Sequence, residues 1–358
     1  MSITNIKETT ASEEIYTRLI KRKTLFILCI FVALAVVSIT ATTMGAASLS
    51  VGESLQAIVA KMLPGLQTTN FADIIVWQLR LPRILMAVLT GLSLGVAGAV
   101  MQGVLRNPLV SPYTLGLSAG AACGAGIAIA LGISVLGAGR YFIVGNAFIF
   151  SLLTMFLVFA ISRIRGTAIE TLILAGVALS YLFSATISIL KYVSDAEVLR
   201  EIVFWLMGGL YTARWETVIL LLPVITIITV LTMRYSWDLN VMSSGEEVAT
   251  SLGVRVGRVR IIVLTLSALL TACVIAFTGI IGFIGLVSPH ICRVILGNDH
   301  RFLIPASGLM GALILLISDT ACRTLIQPTE IPVGIMTSFI GVPFFLYLLI
   351  RKRRRWWQ

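Results

Sequence analysis

Residues 261–296, IIVLTLSALLTACVIAFTGIIGFIGLVSPHICRVIL, decide how this chain is folded. A bilayer core about 30 Å thick is crossed by roughly 20 helical residues, within a range of ~17–25. This apolar stretch is too long for one crossing, and Gly279, Gly282, Gly285 and Pro289 interrupt it. It is either one crossing with an apolar extension or two crossings joined by a tight turn. Eight further charge-free runs, 24–43, 84–105, 114–133, 141–162, 171–190, 217–233, 302–318 and 331–350, reach or approach the length of a crossing.

Charge decides between the two readings, because Lys and Arg accumulate on the cytoplasmic side of membrane proteins. With ten spans and an inner N-terminus, the inner segments hold Lys7, Arg18, Lys21, Arg22, Lys23, Arg106, Arg163, Arg165, Arg234, Arg255, Arg258, Arg260, Arg293, Arg301 and the basic run 351–355. That is 19 of the 27 basic residues. With nine spans the C-terminal run falls outside and the split becomes 13 to 14, which is no bias. The predicted fold is therefore all-α, a polytopic membrane protein of about ten transmembrane helices with both termini cytoplasmic. Residues 1–23 form a polar N-terminal segment, 24–350 a single transmembrane domain with a cytoplasmic loop at 235–260, and 351–358 a basic tail. The first run follows Lys21-Arg22-Lys23 like a signal peptide, but its core is long enough to be retained as a helix.

Composition agrees. Of 358 residues, 58% are apolar and only 12% charged, too few polar groups to cover a water-facing surface. The excess of basic residues gives a net charge of +11, but these charges lie between the apolar runs, where they anchor to lipid headgroups; nucleic-acid binding is not supported. Cys29, Cys123, Cys273, Cys292 and Cys322 have no paired spacing, and His290 and His300 stand too far apart to suggest a metal site. Gly91, Gly95 and Ala99, and then Gly116, Gly120 and Gly124, recur at four-residue steps, a pattern that brings helix backbones close in lipid.

The loop between the sixth and seventh runs reads LNVMSSGEEVATSLGV over 239–254. Ser244 and Glu247 have capping-box spacing, so a helix should start there. Gly253 suits a left-handed C-terminal cap, leaving about two turns. Val248 and Leu252 share a face at i, i+4. So short a helix needs a tertiary partner, either the protein's own surface or another subunit.

That loop resembles the coupling loop of FecCD-type permeases, the membrane subunits of ABC importers for iron-siderophores, haem and cobalamin. Further matching motifs run along the chain: Arg80-Leu81-Pro82-Arg83, Gly98-Ala99-Val100-Met101-Gln102, Arg106-Asn107-Pro108-Leu109, Trp205-Leu206-Met207-Gly208-Gly209, GFIGLVSPH at 282–290, Asp299-His300-Arg301 and Glu330-Ile331-Pro332-Val333-Gly334. Only the first 70 or so residues carry little of the resemblance. It implies ten helices and a dimer, with a second copy or a related permease, around a central pathway. It also implies two ATPase subunits inside and a substrate-binding protein outside.

On this resemblance Gly245, Glu246, Glu247, Val248, Ala249, Leu252 and Gly253 form the ATPase coupling site. Arg80, Arg83 and Arg323 are expected to meet acids of the binding protein, fixing orientation and encounter rate. Gln102, Asn107, Pro108, Trp205 and Gly208 are candidates for the pathway or its gate; no gate is assigned at Ile169 and Glu170, which do not match the family pattern. A short amphipathic helix is expected after a capping box at Ser194 and Glu197, ended by Gly208 and Gly209. Asp319 is expected to pair with Arg323 at i, i+4, and His290 to be a packed side chain.

The chain carries no phosphate-cradling loop, since none of Lys7, Lys21, Lys23, Lys61, Lys191 or Lys352 follows a glycine. No catalytic residue, metal or cofactor is expected here; ATP and Mg would be bound by the partner ATPase. The function expected is inward transport of a metal chelate, an iron(III)-siderophore first, with cobalamin as the main alternative and haem and oxyanions behind it. A stand-alone secondary transporter would need acid and base ladders within its spans, and these runs are nearly bare of charge.

Overall fold

The computed structural model describes residues 3–45, 49–61, 70–132, 139–164 and 169–350, so Arg165 and the basic tail 351–358 lie outside the described residues. The described residues are helices and connecting turns. In chain order they are α1 (Ile3–Thr43), α2 (Val51–Ala60), α3 (Asn70–Asp73), a π-helical turn (Ile74–Arg80) that runs directly into α4 (Leu81–Val104), α5 (Leu117–Ala130), α6 (Gly139–Ile164), α7 (Ile169–Val193) and α8 (Ala196–Met207). There follow α9 (Trp215–Met233), α10 (Ser236–Ser243), α11 (Glu246–Ser251), α12 (Val256–Thr278), α13 (Ile284–Leu296), α14 (His300–Thr324) and α15 (Val333–Ile350).

The stretch 261–296 is split in two. Helix α12 ends at Gly279, whose φ of +67° closes it, and α13 starts after Phe283. The break lies wholly at 279–283; Pro289, expected as part of the interruption, sits inside α13. Seven helices among the described residues are long and apolar enough to cross a bilayer. Helix α13, with 13 residues, is only about 20 Å long, and α5, with 14, is similar.

Helix α4 is the centre of the bundle. Of its most apolar window 83% is buried, against 17% for α1, which lies at the periphery. Its most extensive contact is with α14. A Cβ on Gly91 or Gly95 would overlap the Gly311 or Ser307 carbonyl of α14, and one on Gly98 would overlap Gly285 of α13. Gly120 and Gly124 similarly seat α5 on Thr154 and Asn146 of α6. The glycines at 91–95 and 120–124 thus mark close helix approaches, where packing rather than hydrophobic expulsion holds helices together. Buried hydroxyls bond back to their own helix, as Ser93 does to Leu89, Ser267 to Val263 and Ser288 to Ile284, at 2.7–2.8 Å. That satisfies polar groups where no water reaches.

The start of α8 differs from the expected cap. Helix α8 is capped by Asp195, which accepts from the Glu197 and Val198 N–H groups, while Ser194 bonds back to Leu190. Asp195 wins because its carboxylate is the stronger acceptor at a helix N-terminus. Gly208 ends α8 as expected. The capping box that does form is at Ser50 and Glu53, on the unanticipated α2.

Candidate functional site

Charged side chains gather at the two ends of the bundle. At one end, Asp319 of α14 is fully buried. Arg83 reaches it from α4, with Nη2 at 2.9 Å and Nε at 3.0 Å, and Arg323 from one turn further along α14, with Nε at 3.1 Å. The i, i+4 pair is as expected; Arg83 is the addition. Its other nitrogen, Nη1, meets Glu330 at 2.7 Å, on the loop before α15. Arg323 also donates to the Met44 carbonyl at 3.3 Å, and Arg80 to the Thr42 carbonyl. The three arginines are therefore brought together, but Arg80 and Arg323 are only 5% and 6% exposed. They pin the end of α1 to α4 and α14. Beside them Trp77 stacks on Trp215 at 5.9 Å, its indole N–H donating to the Ala57 carbonyl at 2.9 Å.

The loop end holds α10 and α11. The expected box at Ser244 and Glu247 does not form: Ser244 closes α10, and the N-cap of α11 is Gly245 at φ +123°, a conformation that disfavours any side chain. The C-terminal cap is as expected. Gly253 has φ +86°, its N–H bonds the Thr250 carbonyl at 3.0 Å, and the Val254 N–H bonds the Ala249 carbonyl at 2.9 Å, which is the Schellman arrangement. Ala249 faces inward and is buried, while Val248 and Leu252 are 45% and 67% exposed. The helix thus packs with one face and offers apolar side chains on the other.

Glu246 pairs with Arg260 of α12 and, at 3.7 Å, with Arg106. On α10, Asn240 accepts from the His300 N–H at 2.7 Å and donates to Asp299 at 2.9 Å. Burial alone would raise the Asp299 pKa, but hydrogen bonds from Arg301 and Asn240 hold its carboxyl below the usual carboxylate range.

Two cavities bear on the candidate pathway residues. One, of about 540 Å³, is lined by Arg106, Asn107, Pro108, Ile169, Glu170 and Ser243, among others. It unites the candidates Asn107 and Pro108 with Ile169 and Glu170, which no motif had singled out. The other, of about 610 Å³ and mostly apolar, lies where three chain breaks meet: the end of α8, the α12–α13 turn and the start of α15. Gly208 and Gly279 are both left-handed there, and the Gly209 N–H bonds the Thr278 carbonyl at 2.8 Å. Trp205 borders a third space of about 430 Å³ with Arg140 and Glu201. Gln102 is fully buried and donates to the Leu286 carbonyl at 3.4 Å; it joins α4 to α13 away from these cavities.

Comparison with known proteins places this architecture. The hemin transport system permease protein HmuU of Yersinia pestis is 42% identical over 291 residues, 80% of this chain and 87% of that protein. The cobalamin import system permease protein BtuC of Halobacterium salinarum is 42% identical over 280 residues, 78% of this chain and 74% of that protein. A solved structure described as an inward-facing metal-chelate type ABC transporter superposes with a TM-score of 0.81 at 35% identity, covering 91% of this chain and 99% of that one. The FecCD transport family profile matches residues 28–351. With apolar helices able to cross a bilayer and this match over nearly its whole length, the chain belongs to the FecCD transport family and is a multi-pass transport protein of the cell membrane.

Proposed function

We propose that this chain is the permease subunit of an ABC importer that moves a metal chelate inward, with an iron(III)-siderophore as the first candidate cargo. Two ATPase subunits would dock at the α10–α11 end, which is then cytoplasmic, and two permease copies would enclose the pathway. The ten-crossing topology fits, with α5, α13 and α15 joining the seven longer helices. The observation that carries the reading is α11 itself: a capped helix of 6 residues, too short to stand alone, with Val248 and Leu252 exposed on its outer face. Relatives that carry hemin and cobalamin are equally similar, at 42%, and these are the competing cargoes.

We assign the binding protein to the arginine end. Arg83 and the half-exposed Glu330 form its rim, while Arg80 and Arg323 support that rim from beneath.

Reconstitution with the ATPase and the loaded binding protein tests the cargo. ATP-dependent uptake of ferric siderophore in preference to hemin or cobalamin is the expected result. Uptake driven by an ion gradient without an ATPase would overturn the reading. Replacing Val248 and Leu252 together by Glu is expected to weaken ATPase co-purification about tenfold or more, since a carboxylate carried into an apolar contact loses its water without gaining a partner. Undiminished co-purification would remove α11 from the interface.

A further inference from the structure

The coupling segment holds the bundle at several points, among them Arg260 of α12, Asp299 and Arg301, and two of its contacts converge on one turn. Glu246 opens α11, and its carboxylate is shared between the buried Arg260 and the partly exposed Arg106. On α10, Asn240 takes the His300 N–H at 2.7 Å and stands 2.9 Å from His300 Nδ1. The His300 ring, 1% exposed, lies flush on Gly103, where a Cβ would overlap it. Gly103 and Arg106 belong to the same turn at the end of α4: the Arg106 N–H bonds the Gly103 carbonyl at 3.2 Å and the Asn107 N–H bonds the Gln102 carbonyl at 3.1 Å. Arg106 closes this turn in the left-handed region, at φ +45°, a conformation a non-glycine residue holds only when its surroundings enforce it. The next two residues, Asn107 and Pro108, line the cavity opposite Ile169 and Glu170.

A displacement of α10 and α11 therefore reaches a cavity wall through the Glu246–Arg106 ion pair, the hydrogen bond of Asn240 to His300 and the close packing of the His300 ring on Gly103. We infer that Glu246 and Asn240 are positioning residues, two tethers by which the coupling segment drives the turn at 103–107 and with it the wall formed by Asn107 and Pro108. The inference rests on the proposed docking of an ATPase on α11, and it separates neighbouring residues of one helix: Glu246 acts inward, whereas Val248 and Leu252 face the partner. Coupling of this kind needs an element with two arrangements that both sites bias, and the strained Arg106 turn is that element.

The test uses the complete transporter with ATPase and binding protein in proteoliposomes and reads transport per ATP hydrolysed. Asn240→Ala and Arg106→Gln are each expected to lower that ratio about fivefold or more, with ATPase still co-purifying, while Arg106→Lys, which keeps a cation for Glu246, stays near the native ratio. Arg106 is partly exposed, so its variants are expected to fold. Unchanged ratios in Asn240→Ala and Arg106→Gln complexes that retain ATPase would overturn the tethers and leave the docking reading standing. A fall that merely tracks a drop in melting temperature would also overturn them, as the mark of a structural role. If the Val248 and Leu252 double variant keeps its ATPase, the docking reading fails and the tethers fail with it.

Discussion

Gly95→Val is expected to leave almost no assembled permease in the membrane. A Cβ at this position would overlap the Ser307 carbonyl and press on Gly308 of α14, and backbone cannot swing aside as a side chain can. Ordinary overpacking costs about 1–3 kcal/mol; here the obstacle is main chain within the most extensive contact of the bundle, so the cost should reach or exceed that range. Lipid supplies no hydrophobic drive to hold the helices together once close packing is lost. The check is the monodisperse fraction after detergent extraction, with its melting temperature. Gly257→Ala on α12 is the control, because a Cβ there meets nothing within 4 Å; native yield from Gly95→Val would refute the packing argument.

Asp319→Leu should be nearly as damaging. The carboxylate is fully buried between Arg83 and Arg323, and removing one partner of a buried charged network leaves cations unmatched, at about 3–5 kcal/mol. Arg83 would keep Glu330 and Arg323 would keep the Met44 carbonyl, which places the loss within that range rather than beyond it. The cost belongs to the uncompensated charge, so Asp319→Leu combined with Arg323→Leu is expected to melt above Asp319→Leu alone. Thermal melts of the four-member cycle measure the coupling; strictly additive changes would show that the two side chains do not interact.

Much of this could be read from the chain before any coordinates. The glycine steps at 91–95 and 120–124 marked helix faces correctly because the absence of Cβ is a local property with a fixed consequence, whereas Gly116 precedes α5 as its N-cap at φ +81°. The break at 279–283 was legible for the same reason. Caps were less legible. The S-x-x-E spacing occurs at Ser50, Ser194, Ser243 and Ser244, but among the described residues a box forms at Ser50 alone; Asp195 displaces Ser194, Ser243 bonds back to the Asn240 carbonyl, and Ser244 is used to close α10. Spacing cannot say which of two adjacent acceptors wins. Least legible were the long-range partners: Arg83 with Asp319, Glu246 with Arg106, and Glu170 across the cavity from Asn107. Those juxtapositions depend on how helices far apart in sequence are laid side by side, and no local pattern encodes them.

Helices α4 and α14 meet backbone to backbone through Gly91, Gly95 and Gly311, with no deformable side chain between them at those points. Such a pair moves as one stiff rod. One end of the rod carries Arg83, Asp319 and Arg323, and the other carries Gly103 and His300, next to Arg106. Stiffness lets the two ends act on each other, and thermodynamic linkage makes that action reciprocal: whatever factor a protein seated at the arginine end contributes to binding at the loop end, a protein at the loop end must return at the arginine end.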